Sequence, residues 1–234
     1  MFFLKCKIGL NFNADDSVHF LLFLLMFKIR LVYSQWSVFS KNGSNPSWNR
    51  TLSDMLERLN KDDVVHELMS NQTIFPLEVH YVHDNISYTV DFGNEIPEAA
   101  MTEKPYVGWP SPSPFGMYTL VCVGPDVPTL LKAPKYRSFL HWHVGNIQND
   151  NTVGGETRVE YVGIVKPNYG PGKHRIVFIL YRQNQDAELY YVGDVMTEDG
   201  DMDEREFFEP RVMAKENQMG KPIGVNYFWV TTAD

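Results

Sequence analysis

The run 138-SFLHWHVGNI-147 sets His141 and His143 one residue apart in an apolar stretch, and 170-GPGKHRIVFILY-181 supplies a further imidazole, His174. Imidazole titrates near ~6.5, donates or accepts hydrogen bonds, and ligates metals. Two chemistries compete for these three side chains. A three-histidine zinc site with one open position for water would make a metal-dependent hydrolase. A concave, partly dry pocket would instead use ring N–H groups to hold an anion. Zinc needs three nitrogens within about 2 Å of one point, and H-x-H is common in ordinary strands, so the anion pocket is the reading carried forward. Residues two apart on a strand share a face, which predicts His141 and His143 side by side about 7 Å apart. Among its apolar neighbours His143 reads as a packing residue.

Other groups add to this pattern. Gly170 and Gly172 let the backbone approach a ligand and offer amides, while Pro171 removes one donor. Asp126 in 124-GPDVP-128 reads as a turn former, since one carboxylate beside proline is weak evidence for acid–base work. The acidic stretch 198-EDGDMDERE-206 lacks calcium-loop spacing and reads as a solvated loop. No GxGxxG, Walker A, HExxH, GxSxG or CxxC occurs, so no cofactor and no enzymatic activity are expected.

The elements that must carry these residues are mostly strands. Leu52, Met55, Leu56 and Leu59 fall at helical spacing behind a Thr51/Asp54 capping pair, predicting a helix over 51–60, and a second is expected over 62–69. Strands are expected at 77–82 and 86–92, which form a hairpin, and at 117–123, 139–147, 159–164, 175–181 and 225–232. The proline-rich stretch 97–116 reads as a long ordered loop. Seven or more strands with few helices predict a mainly β sandwich or barrel.

The chain has 234 residues, 44% hydrophobic and 14% aromatic, enough for a real core, and a net charge of -8 with no basic run. That balance excludes a general nucleic-acid binder. The apolar run 18–27 is too short to span a membrane, which argues against stable membrane insertion, and resembles a secretory h-region, with Val32-Tyr33-Ser34 as its small-residue cleavage site. Sequons at Asn42, Asn49, Asn71 and Asn85 fit a secreted glycoprotein. Residues 1–50 are therefore expected to be an N-terminal segment with a signal sequence and polar linker, and 51–234 the folded domain. Of the two cysteines, Cys6 and Cys122, the latter sits in the apolar run 118-YTLVCV-123 and is expected to be buried.

In order and spacing, 124-GPDVP-128, 134-PKYR-137, 139-FLHWHVGNI-147 and 170-GPGKHRIVFILY-181 together resemble the phosphatidylethanolamine-binding protein family, also called the Raf kinase inhibitor protein family. The resemblance runs from about residue 60 to 234. It implies an antiparallel β-sandwich of that type with a few short peripheral helices, and a pocket at one end for phosphate-like groups and phospholipid headgroups. It also implies kinases or proteases as regulatory partners. By match, His141 and His174 are the pocket histidines, Asp126 and Pro128 its rim, Pro167 its wall, and Arg137 the brace of the turn through its aspartate. Gly170 and Gly172 complete the set. The chain departs from the family pattern at Gly124, where an aspartate is usual, at Ile176, an aromatic or polar position, and at His143, normally aliphatic. It also stops at Asp234, where relatives continue into a helix.

Overall fold

The computed structural model describes residues 50–65, 74–110, 115–129, 137–166 and 168–233. Its centre is a sheet that is apolar on both faces. Every residue of β6 (Met117–Gly124) and unbroken runs within β7 (Phe139–Gln148) and β9 (Gly172–Arg182) are buried, which one-sided alternation cannot explain. In β6, Tyr118, Leu120 and Cys122 face one core while Val121 and Val123 face another. Cys122 is fully buried, as its apolar run predicts.

The large sheet has the order β1-β10-β9-β6-β7-β8, with β1 at Phe75–Pro76, β8 at Glu156–Val159 and β10 at Gly224–Thr232. Its four long strands are antiparallel neighbours, with Cys122 opposite Phe178 and His174 opposite Val230. Two short segments, β1 and β4 (Asn94–Glu95), join β10 in parallel, so the sheet is mixed at that edge. The second sheet, β3-β2-β5, comprises Ile86–Thr89, Glu78–His83 and Tyr106–Gly108. Leu77, Val79, Tyr81 and Val107 from this layer pack on the large sheet's first core, giving the expected mainly β sandwich. The β2–β3 hairpin turns at Asp84 and Asn85, with φ of 50° and 61°, as a two-residue turn requires.

Short helices cover the other face. Helix α1 (Leu52–Lys61) starts where the spacing predicts, with the Thr51 hydroxyl accepting from the Asp54 amide at 3.2 Å, and buries Met55 and Leu59. Helix α2 (Pro210–Glu216), which the sequence reading leaves within a polar stretch, starts on proline and packs Met213 and Ala214 into the same layer. The second half of the helix expected over 62–69 lies outside the described residues. The strand expected at 159–164 is displaced: β8 ends at Val159, and residues 160–165 run as irregular chain. The Glu160 amide there bonds the Met196 carbonyl and the Val162 amide the His141 carbonyl, so local partners replace a ladder.

Candidate functional site

Strand β6 lies between β7 and β9, and its last residue, Gly124, has no side chain. Neighbouring strands lie about 4.8 Å apart, so the missing side chain leaves a gap between the two outer strands. His141 and His174 border that gap.

His141 reaches it through a bulge. Cys122 pairs with Trp142 and Val123 with Leu140, which leaves His141 as the extra residue of β7. The bulge breaks the two-residue alternation, so the expected shared face of His141 and His143 does not form. His143 lies opposite Val121 on the other face, its ring 5.7 Å from Tyr191 and 6.4 Å from Phe208. Among the described residues, no group of three or more His, Cys, Asp and Glu side chains converges as a metal site requires.

The His141 ring is fully buried and its protons are fixed by its partners. Nδ1 lies 2.9 Å from the Val162 carbonyl and 3.1 Å from that of Gly163, so it carries the hydrogen. Nε2 is then an acceptor and receives the Tyr169 hydroxyl at 2.7 Å. Burial pulls this imidazole's pKa down to about 4; the two carbonyl bonds oppose that fall and the Arg205 charge adds to it. Burial also pushes the Tyr169 phenol well up, so it remains a donor. At neutral pH, His141 therefore presents a lone pair, not a proton, toward the gap. The expectation that its charge changes near ~6.5 is corrected by this burial.

His174 on β9 faces the same gap from the other side. Its Nδ1 lies 2.9 Å from the Asp126 carbonyl, and its Nε2 lies 2.9 Å from the Gly170 carbonyl and 3.1 Å from the Thr232 hydroxyl. Between the two imidazoles stands the Tyr169 ring, 5.5 Å from His141 and 5.0 Å from His174 by centroids, and 5.8 Å from Phe139. The sequence reading missed Tyr169; one aromatic in a Gly/Pro loop carries no periodic signal.

The other expected site residues are placed as follows. Asp126 is fully buried, but its carboxylate points to Arg175: the Arg175 amide and Nε reach Oδ2 at 2.7 and 2.9 Å, and Nη2 reaches Oδ1 at 2.5 Å. Asp126 thus offers the site a carbonyl. Arg175, adjacent to His174, is the residue that grips this aspartate, whereas Arg137 reaches the same turn through Nε to the Pro125 carbonyl at 3.4 Å. Pro128 accepts the Gly170 amide at 2.8 Å, so Gly170 turns its carbonyl to the site and its amide to the turn. Gly172 sits at the exposed start of β9 opposite Thr232, with φ of +130°. Pro167 lies outside the described residues.

A further residue unmarked by the sequence is Arg205, buried within the acidic stretch read as solvated. Its guanidinium donates to the Glu160 and Thr197 carbonyls at 2.8 Å each and approaches the Leu140 and His141 carbonyls at 3.3 and 3.4 Å. It ties the 197–206 segment to the bulge that presents His141.

His143 gives a separate test of packing. It is only 7% exposed, and its Nε2 has no hydrogen-bond partner among the described residues. His143→Leu is expected to raise unfolding free energy by about 1 kcal/mol at neutral pH in urea titration, because an unsatisfied polar atom leaves the core. A loss of stability would show that the ring has a partner, such as a bound water.

The comparisons with known proteins agree with this architecture. The phosphatidylethanolamine-binding protein family matches residues 85–228, more than half of the chain, and the chain belongs to that family. A 26 kDa secreted antigen of Toxocara canis is 30% identical over 139 residues, covering 59% of this chain and 51% of that protein. The chain thus spans about half the length of this relative. TERMINAL FLOWER 1 of Arabidopsis thaliana is 31% identical over 149 residues, covering 62% of this chain and 76% of that protein. Among solved structures, the carboxypeptidase Y inhibitor in complex with its cognate proteinase superimposes with a TM-score of 0.63 at 22% identity. That superposition covers 77% of this chain and 96% of the inhibitor, a likeness of fold. Membership fits a binding role. No helix among the described residues is long and apolar enough to cross a membrane.

Proposed function

We propose that this chain is a non-catalytic binding protein that takes a small phosphorylated ligand, of the phospholipid-headgroup class, between His141 and His174. On this reading the occupied site governs an inhibitory contact with a protein kinase or protease. One observation carries it: imidazoles from β7 and β9 converge on one tyrosine hydroxyl and ring, above the gap left by Gly124. Such a place can hold an oxygen-rich group if the tyrosine side chain leaves it. Secretion is part of the reading, supported by the secreted antigen among the relatives and by Asn85, which is exposed at the tip of the β2–β3 turn within its sequon. The asparagines of the other three sequons lie outside the described residues.

Titration with phosphorylethanolamine, followed by NMR of the imidazole signals, tests the assignment. The wild-type chain is expected to bind, and a folded His141→Ala, His174→Ala double variant is expected to lose binding. Equal affinity in both would remove the histidines from the site. The pH dependence has a definite sign. His141 Nε2 lacks a proton at neutral pH, so a phosphate oxygen meets a lone pair unless the ligand brings its own proton, as a monoester does below ~6. Affinity is therefore expected to rise on acidification from about pH 7 to about pH 5. A flat profile would credit donors other than His141.

A further inference from the structure

The Gly124 gap is not empty. A Cβ built on Gly124 would lie 1.7 Å from the Tyr169 hydroxyl oxygen and 3.0 Å from His141 Nε2. The hydroxyl thus fills the volume that any side chain at 124 would need. A carboxylate at 124 and a tyrosine at 169 exclude each other, and this chain has the tyrosine.

The tyrosine is held as an occupant would be. It is 2% exposed and its hydroxyl is bonded to the one atom of His141 that faces the gap. Its ring meets His174 edge-on, with an interplanar angle of 79°. Its own backbone is secured on both sides, by its amide to the Val165 carbonyl at 3.0 Å and by the following Gly170 amide to the Pro128 carbonyl at 2.8 Å. The loop can therefore stay in place while the side chain turns out about its rotatable bonds.

We propose that Tyr169 is a built-in competitor: its side chain occupies the hollow between His141 and His174 and keeps out any ligand that cannot displace it. The occupancy rests on geometry alone; the identity of the excluded ligand as a phosphate group rests on the function proposed above. A competitor seated about 99% of the time weakens the apparent affinity about a hundredfold, because only the open fraction binds. Tyr169 then decides specificity. A ligand must match both the hydroxyl's bond to His141 and the ring's contacts with His174 and Phe139.

Two measurements separate the occupancy from the ligand. The first is diethyl pyrocarbonate modification of His141, read by peptide mass spectrometry with the partly exposed His83 as internal reference. Tyr169→Ala is expected to raise His141 reactivity by about tenfold or more, and Tyr169→Phe, which keeps the ring, to leave it protected. Tyr169→Val, which shortens the side chain but keeps an apolar body beside Phe139, is expected to reproduce the gain, and serves if Tyr169→Ala fails to fold. His141 remaining inert in both variants would overturn the proposal whatever the ligand.

The second is titration with phosphorylethanolamine and with inorganic phosphate. Tyr169→Ala is expected to bind one of them about ten- to a hundredfold more tightly than wild type. Gain for both assigns the site to phosphate itself, and gain for the first alone to the headgroup. Equal affinity of variant and wild type overturns the competitor while leaving the binding site. A reactive His141 with no phosphate binding by any variant keeps Tyr169 as occupant and removes phosphate as what it excludes.

Discussion

Arg175→Met is expected to lower the unfolding free energy by about 3–5 kcal/mol, the largest loss from any single change near the site. Asp126 is completely buried, and among the described residues Arg175 donates to its carboxylate three times, once from the backbone and twice from a forked guanidinium. Removing the guanidinium strands a carboxylate in the core and forfeits the Nη1 bond to the Asp62 carbonyl at 2.7 Å, which ties β9 to the end of α1. The guanidinium also lies 5.9 Å from the Trp229 ring, a contact that methionine replaces only in part. Arg175→Lys keeps the charge but not the fork, so it is expected to recover less than half of the loss. Equilibrium urea unfolding reads this as a fall in midpoint at unchanged slope. A loss below about 1 kcal/mol would mean that desolvation cancels the pair. The same substitution bears on the site, because the Asp126 carbonyl accepts from His174 Nδ1, so the His174 signals should move even where the fold survives.

The sequence made the strands legible because their apolar character is continuous, and it marked His141, His174 and Asp126 because their motifs are local. It could not place them in three dimensions. Period-two reasoning puts His141 and His143 on one face; the bulge at His141 reverses that, and a bulge is set by pairing with β6, which no window of β7 contains. The departure at Gly124 was visible as a missing carboxylate, but its structural consequence required Tyr169, 45 positions away in a loop without periodicity. Arg205 was hidden by its company. A single arginine among carboxylates reads as a surface ion pair, yet its ligands are backbone carbonyls brought from β7 and from residues 160 and 197. Helix α2 escaped for a similar reason: its seven residues bury only Pro210, Met213 and Ala214, too short a stripe to register.

Acid should unfold this protein from within. His141 and His143 are both buried, and burial holds each near a pKa of about 4, against ~6.5 for an imidazole in the unfolded chain. Between those values the unfolded chain binds protons that the folded chain refuses, so stability falls as pH falls. The contribution is complete above ~6.5, declines below it, and is gone once pH passes through about 4. Each shift corresponds to about 3 kcal/mol, so the pair is expected to remove about 6 kcal/mol between pH 7 and pH 4, a large part of an ordinary domain's stability. His143→Leu separates the two rings, since it deletes one titration without touching the Tyr169 contact; it is expected to halve the acid slope while raising stability at neutral pH. Urea midpoints measured across this range check both statements. A slope unchanged by His143→Leu would place the acid sensitivity on other groups and would mean that the His143 ring takes up its proton in the folded state.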